Sequence, residues 1–127
     1  MLLGIDYGQK NVGIALSSED AVLAFPEAVL KNKEALSKIK EICQKRKITG
    51  IVLGQSLDFK GKPNPIMTNI LSFKKELEDE LKVPVYLEPE FLTTAQAAQE
   101  QGRHKKIDAS AAAIILQSFI DKKNQKT

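Results

Sequence analysis

Residues 2–17 read LLGIDYGQKNVGIALS, and this stretch decides the fold of the chain. A short apolar run ends on a carboxylate, Asp6, and the residues from 8 to 12 are rich in turn formers. The apolar residues that follow alternate with small ones, which predicts a β-hairpin. We therefore expect Asp6 inside a sheet near its edge with solvent, where a carboxylate is costly to bury unless a cation or hydrogen-bond donors neutralise it.

Two interpretations of Asp6 are open at this point. An aspartate at the end of a strand is often a turn residue that satisfies local backbone donors. The glycines around it also leave room for a bulky anionic ligand to approach the backbone, which favours a metal ligand near a phosphate.

Length and composition predict one domain over residues 1–127, because 43% of the 127 residues are apolar and no second core fits. Charges interrupt every apolar stretch before membrane-spanning length, and the N-terminus lacks a signal-peptide pattern. The single cysteine, Cys43, is expected to be a small core residue. We expect a protein that stays in the cytoplasm.

The net charge of +3 is mild, but its distribution is uneven. Seven basic residues fall between positions 31 and 47, and a second basic cluster covers 103–106. An acidic group at 76–80 lies on a different predicted helix. The pattern favours a polarised surface that attracts anions to one side, although a solvated helix face explains the first cluster equally well.

The hydrophobic pattern predicts an α/β fold. After the hairpin, strands are expected over 21–30, 48–54 and 83–87, and helices over 33–47, 66–81, 93–100 and 108–122, with a frayed tail at 123–127. Pro26 marks the third strand as an edge. This order implies a five-stranded mixed sheet, three strands antiparallel and two parallel, with helices on both faces. Function in such sheets gathers at the carboxyl ends of the parallel strands.

Three carboxylates are expected at that end of the sheet. Asp6 follows the first strand, Glu90 follows the fifth, and Asp108 opens the last helix. Together they supply the hard oxygen ligands that Mg²⁺ or Mn²⁺ prefers, and two such ions about 4 Å apart promote phosphodiester hydrolysis. Asp108 alone would equally be a helix N-cap.

Four segments carry a family resemblance: GIDYGQKNVGIAL (4–16), VLGQSLDFKGKPN (52–64), EPEFLTTAQAA (88–98) and KKIDASAAAIILQSFID (105–121). In order and spacing they resemble the signature segments of the YqgF family, also called RuvX. The resemblance implies an RNase H-like fold and a nuclease that matures the 5′ end of pre-16S ribosomal RNA in the bacterial cytoplasm. It also implies that Asp6, Glu90 and Asp108 are the catalytic metal ligands.

The sequence departs from the family pattern at several places. Pro89 and Phe91 stand where the family commonly has Asp and Arg around Glu90, so that Glu88 could replace the missing acid only if the strand bends. Residues 54–56 read Gly-Gln-Ser in place of Gly-Leu-Pro, and Asn11 replaces a basic residue. These differences keep the three expected metal ligands.

Substrate contacts are expected from basic residues near the carboxylates. Lys10 in the hairpin turn could neutralise a phosphate, although most turn lysines are simply exposed. Arg103, Lys105 and Lys106 form either a basic clamp before Asp108 or a solvated connection. Because aromatic residues are scarce and not interleaved with the basic runs, shape and backbone recognition of a structured RNA is favoured over base stacking.

The leading hypothesis is therefore a divalent-metal-dependent nuclease, a hydrolase that processes the 5′ end of pre-16S rRNA in ribosome biogenesis. One alternative is a Holliday junction resolvase acting on four-way DNA, which would need a dimer. Another is a catalytically weak RNA-binding ribosome-assembly factor. The sequence leaves monomer and homodimer open. The Asp-x-Gly hairpin also resembles that of sugar kinases and actin-like ATPases, but those proteins need two such domains.

Overall fold

The computed structural model describes residues 1–57, 60–91 and 109–124. Its strands are β1 (Leu2–Tyr7), β2 (Asn11–Ser17), β3 (Ala24–Lys31), β4 (Gly50–Leu57) and β5 (Val85–Phe91). They form one sheet in the order β3-β2-β1-β4-β5. β2 is antiparallel to both β1 and β3, whereas β4 runs parallel to β1 and to β5. The mixed sheet expected from the sequence is confirmed.

Three described helices cover the two faces of this sheet: α1 (Asn32–Lys45), α2 (Met67–Leu81) and α3 (Ala109–Asn124). Alternate residues of a strand point to opposite faces. Leu3 and Ile5 of β1 pack in the core with α1 and α2, while Leu2 packs in a second cluster with α3. The predicted arrangement of helices on both faces is confirmed. None of the described helices has the length and apolarity that a membrane span requires.

The observed strand boundaries differ from the predicted ones by a few residues. β3 begins at Ala24 because the preceding turn includes Ala21 with a φ of 56° and is held by Ser18, whose Oγ accepts hydrogen bonds from the amides of Val22 and Leu23. The position of β3 at the edge of the sheet, predicted from Pro26, is confirmed. Its register shifts opposite Ile14 and Ala15, and such a bulge discourages an edge strand from pairing with another chain.

The strands β4 and β5 extend further than their apolar residues suggest. Their ladder continues through Gln55↔Pro89 and Ser56↔Glu90 to Leu57↔Phe91. Gln55, Ser56 and Glu90, which the sequence predicts beyond these strands, therefore lie within them. α3 continues two residues past its predicted end to Asn124 and so includes the start of the predicted tail. The predicted helix over 93–100 lies outside the described residues.

The basic and acidic helices are neighbours rather than separate sides of the molecule. α1 and α2 pack on the same face, and Lys40 Nζ lies 3.5 Å from Glu80 Oε2 across them. The polarised surface expected from the sequence is therefore not seen where α1 meets α2, because acidic side chains border the basic ones there. Cys43 is half-buried against the core as expected, and burial raises the pKa of its thiol.

Gly4 allows α3 to lie close to the sheet. A Cβ at this position would stand 2.7 Å from Cβ of Leu116 and 3.0 Å from the backbone oxygen of Ala112. Because helix backbone would have to move, we expect Gly4→Ala to lower the free energy of unfolding by about 2 kcal/mol. Denaturant unfolding measures this loss.

Gly50→Ala is the matched control for this substitution. Its Cβ would meet side-chain atoms, Leu2 Cδ2 at 3.2 Å and Tyr86 Cε2 at 3.3 Å, which can shift more easily than a backbone oxygen. We expect a smaller loss of stability than in Gly4→Ala. Equal stability of Gly4→Ala and the wild type would contradict the close approach of α3.

Candidate active site

The candidate site lies at the edge of the sheet where β1, β4 and β5 end. Asp6 is the penultimate residue of β1 and is 2% exposed. Because Leu2 and Gly4 face α3, the alternation of the strand directs Asp6 to that same face. The carboxylate is therefore buried beneath the α3 side of the sheet, close to the carboxyl ends of its parallel strands.

Asp6 has a glycine beside it on each neighbouring strand. Gly13 of β2 is its antiparallel partner. On the other side, the parallel register Ile5↔Leu53 places Gly54 next to it. Neither glycine has a side chain, and over Gly54 this space is taken by α3, because a Cβ there would lie 2.7 Å from Cδ1 of Ile115.

Glu90 reaches towards the same place from β5. Pairing with Ser56 sets it one step beyond Gly54 on the same face of the sheet. Its Oε2 lies 3.5 Å from the position that a Cβ on Gly54 would occupy. The carboxylate of Glu90 therefore leans back over Gly54, which is the neighbour of Asp6, so the structure brings these two predicted site residues together.

Glu88 is engaged by α3. It is 3% exposed, and its Oε2 accepts hydrogen bonds from Ser118 Oγ at 2.8 Å and Lys122 Nζ at 2.6 Å. β5 stays in unbroken register with β4 on both sides of Pro89, so the strand does not bend to redirect Glu88. The carboxylate instead ties β5 to α3 through a charge-assisted pair.

Of the remaining predicted site residues, only Lys10 lies within the described part of the chain. Lys10 is exposed in the hairpin turn, where its backbone oxygen accepts a hydrogen bond from the amide of Asn32. The third expected ligand, Asp108, lies outside the described residues, as do Arg103, Lys105 and Lys106. α3 begins at Ala109 and lies against Gly4, two residues before Asp6 on the same face.

The described residues fit a divalent cation in donor type and position, but they do not complete a site. No group of three or more histidine, cysteine, aspartate or glutamate side chains comes together in the described part of the chain. Asp6 and Glu90 offer the carboxylate oxygens that Mg²⁺ and Mn²⁺ prefer. Oδ2 of Asp6 is buried and accepts no hydrogen bond from the described residues, while Asp6 takes part in a further interaction.

Sequence reasoning missed two features of this site. The partners of Glu88, Ser118 and Lys122, are spaced four apart on one face of α3, a signal that becomes informative only when the strand facing it is known. The pair of glycines beside Asp6 was equally hidden, because strand register alone brings Gly13 and Gly54 into its row.

The chain is similar to known proteins over nearly all of its length. The family model described as RuvX, Holliday junction resolvase, matches residues 1–122. A protein of Rickettsia rickettsii (strain Sheila Smith) named "Putative pre-16S rRNA nuclease" is 30% identical over 131 residues, which cover 94% of this chain and 85% of that protein. A protein of the same name from Rickettsia bellii is 30% identical over 135 residues, covering 98% and 88%.

The fold is also similar to that of solved structures. RuvC of Thermus thermophilus in complex with a Holliday junction substrate superposes with a TM-score of 0.60 at 17% identity, covering 97% of this chain and 95% of that one. Another T. thermophilus RuvC structure gives a TM-score of 0.54. These likenesses establish the RNase H-like fold that the sequence segments imply. By its fold and by a family match that spans nearly all of its length, the chain belongs to the RuvX (YqgF) family.

Proposed function

We propose that this protein is a divalent-metal-dependent nuclease that hydrolyses phosphodiester bonds in the 5′ precursor region of 16S rRNA. The observation that carries the proposal is the buried carboxylate of Asp6 between two glycines, with Glu90 directed over one of them. This arrangement brings carboxylate oxygens, the ligands that Mg²⁺ and Mn²⁺ prefer, to the carboxyl ends of the parallel strands, where such ions can promote phosphodiester hydrolysis.

Asp6, Glu90 and Asp108 are the residues that we propose as catalytic metal ligands. Mg²⁺ or Mn²⁺ bound there would supply an activated water and charge stabilisation for the leaving oxygen. The protein itself orients its carboxylates through the register of β1 and β5, and Ile115 of α3 packs over Gly54 beside them. The start of α3 beside β1 supports Asp108 as the third ligand.

The substrate is proposed as a structured RNA on two grounds. Relatives at about 30% identity carry the name of a pre-16S rRNA nuclease and match nearly the whole chain. The scarcity of aromatic residues also favours recognition of a folded backbone over base stacking. We propose Lys10, Arg103, Lys105 and Lys106 as phosphate contacts, and the cytoplasm as the compartment where the protein meets this RNA.

A second candidate substrate is four-way DNA, which the description of the matching family favours. The two substrates require the same hydrolytic chemistry but different assemblies. Cutting two symmetric strands needs two active sites related by a two-fold axis and hence a dimer, whereas trimming one RNA end needs only a monomer. The oligomeric state in solution therefore helps to separate the two substrates.

The test is cleavage of an end-labelled RNA that spans the 5′ precursor region of 16S rRNA, with a four-way DNA junction assayed in parallel. Each substrate is incubated with Mg²⁺, with Mn²⁺ or with a chelator. We expect RNA cleavage with either metal and none with the chelator. Cleavage of the junction alone would transfer the assignment to a resolvase. Salt-sensitive RNA binding without cleavage would instead indicate a ribosome-assembly factor.

Asp108→Asn separates a catalytic role of this residue from a capping role. Asparagine caps helices about as well as aspartate, but its neutral amide is a poor ligand for Mg²⁺. We expect metal-dependent cleavage to fall at least about tenfold while thermal stability without metal stays unchanged. Full activity of Asp108→Asn would restrict the residue to the helix cap.

A further inference from the structure

The row of residues that contains Asp6 continues across the sheet beyond Gly13. Gly13 pairs with Val29 of β3, so Asp6, Gly13 and Val29 share one face. Lys31 follows two residues after Val29, on the same face and at the end of β3. The structure therefore places an exposed lysine on the same side of the sheet as the buried carboxylate, two strands away from it.

The separation between Lys31 and Asp6 follows from strand geometry. Two strand spacings and one two-residue step place their Cα atoms about 12 Å apart. Along the axis of a duplex, which rises about 3.4 Å per nucleotide of one strand, that distance corresponds to about three or four nucleotides. A strand whose scissile phosphate lies at Asp6 would therefore pass Lys31 within a few nucleotides of the cleavage point.

Asn32 forms hydrogen bonds that connect the start of α1 to the β1–β2 turn. Its side-chain Nδ2 donates a hydrogen bond to the Gly8 oxygen at 2.6 Å, and its backbone amide donates to the Lys10 oxygen at 2.8 Å. These bonds join the β1–β2 turn to the first residue of α1. Lys10 in the turn and Lys33 in the first turn of α1 therefore lie on the two segments that these bonds join, and Lys31 directly precedes Asn32.

The charges of these three residues, here named the lysine cluster, are available to a ligand. All three are exposed. In the part of the chain that the structure describes, none of them forms an ion pair, and the nearby Glu34 forms none with them. By contrast, Lys40 on the same helix is engaged by Glu80. The cluster is thus a concentration of unneutralised positive charge at the edge where β1 ends.

We propose that Lys10, Lys31 and Lys33 bind successive phosphates of the nucleic-acid strand and guide it from Asp6 over the β1–β2 turn towards the start of α1. This inference rests on the proposed nuclease function and adds to it Lys31, Lys33 and the direction in which the substrate leaves the site. The contacts are electrostatic, because exposed ammonium groups recognise phosphate charge rather than base sequence.

The test compares two double variants that remove the same charge. Lys31→Gln/Lys33→Gln removes two members of the lysine cluster. Lys45→Gln/Lys47→Gln removes two exposed lysines at the other end of α1, about 20 Å away along the helix. Binding of the 5′ precursor RNA and of the four-way DNA junction is measured in chelator over a series of salt concentrations. The two probes distinguish an RNA strand from a DNA strand as the ligand.

We expect the cluster variant to bind about tenfold more weakly at 0.1 M salt. The slope of log K, the association constant, against log salt is negative, and its magnitude should fall by about 1.5, since each phosphate contact contributes about 0.7 to 0.9. The control variant should keep the wild-type slope. Lys31→Arg/Lys33→Arg should restore both affinity and slope. In cleavage assays the cluster variant should raise KM and leave kcat within about twofold, because its residues lie away from the reacting phosphate.

Equal weakening in both double variants would overturn the lysine cluster in favour of a general charge effect. If the wild type binds and cleaves but the cluster variant keeps the wild-type salt slope, the proposed role of the lysine cluster is wrong and the proposed nuclease function stands. A wild-type protein that binds neither probe would overturn the cluster together with the proposed function.

Discussion

Replacing Asp6 by asparagine is expected to reduce metal-dependent RNA cleavage at least about a thousandfold, which corresponds to about 4 kcal/mol of transition-state stabilisation. The neutral amide is nearly the same shape as the carboxylate but holds Mg²⁺ or Mn²⁺ poorly. Because Asp6 is buried, removing its charge also removes a desolvation cost. We therefore expect the metal-free variant to unfold at the wild-type temperature or slightly above it.

Thermal unfolding with and without Mn²⁺ provides a readout independent of catalysis. A bound ion stabilises the folded state, so Mn²⁺ should raise the Tm of the wild type and leave that of Asp6→Asn unchanged. Asp79→Asn is the matched control, because Asp79 is exposed on α2 on the opposite face of the sheet. Full cleavage by Asp6→Asn would remove the metal-site proposal, and equal losses in both variants would deny Asp6 a special role.

The second large effect is expected from Glu90→Gln, compared with Glu88→Gln two residues earlier on the same face of β5. Glu90 leans over Gly54 beside Asp6, whereas Glu88 is held by Ser118 and Lys122. Glu90→Gln should therefore lower cleavage at least about a hundredfold, or about 2.7 kcal/mol, with little change in stability. Glu88→Gln should keep cleavage and lose about 1 kcal/mol of stability with its ion pair.

Paired measurement of cleavage rate and denaturant unfolding separates these roles. Each substitution removes one negative charge from β5, so the change in net charge that the substrate experiences is the same in both variants. A reversed pattern, in which Glu88→Gln loses cleavage and Glu90→Gln loses stability, would show that the two side chains exchange roles. Normal activity of Glu90→Gln would exclude Glu90 as a ligand.

Some parts of the fold follow directly from local sequence. Apolar alternation around the β1–β2 turn predicts the hairpin, and Pro26 predicts the edge position of β3, because a residue without an amide hydrogen cannot serve a central strand. The ends of β4 and β5 do not follow. Gln55 and Ser56 are polar, yet their backbone groups continue the ladder with β5, and backbone pairing leaves no hydrophobic signal.

Tertiary structure gives Glu88 and Glu90 different environments. Both are carboxylates near the end of a predicted strand. Apart from the spacing of the family segment, the sequence does not indicate which of the two is buried and hydrogen-bonded. Packing of α3 gives Glu88 two donors and buries it. Glu90 lies one row further on, where Gly54 leaves space for its side chain.

By itself, the sequence determined the strand and helix order, the mixed sheet, the placement of Asp6 at the end of β1 and the family resemblance, because hydrophobic periodicity and turn residues act over a few neighbouring positions. Only the tertiary structure decided which residues share a row with Asp6, since strand register joins positions far apart in the chain. That register places Gly13 and Gly54 on either side of the carboxylate, whereas packing of α3 gives Glu88 its two hydrogen-bond donors.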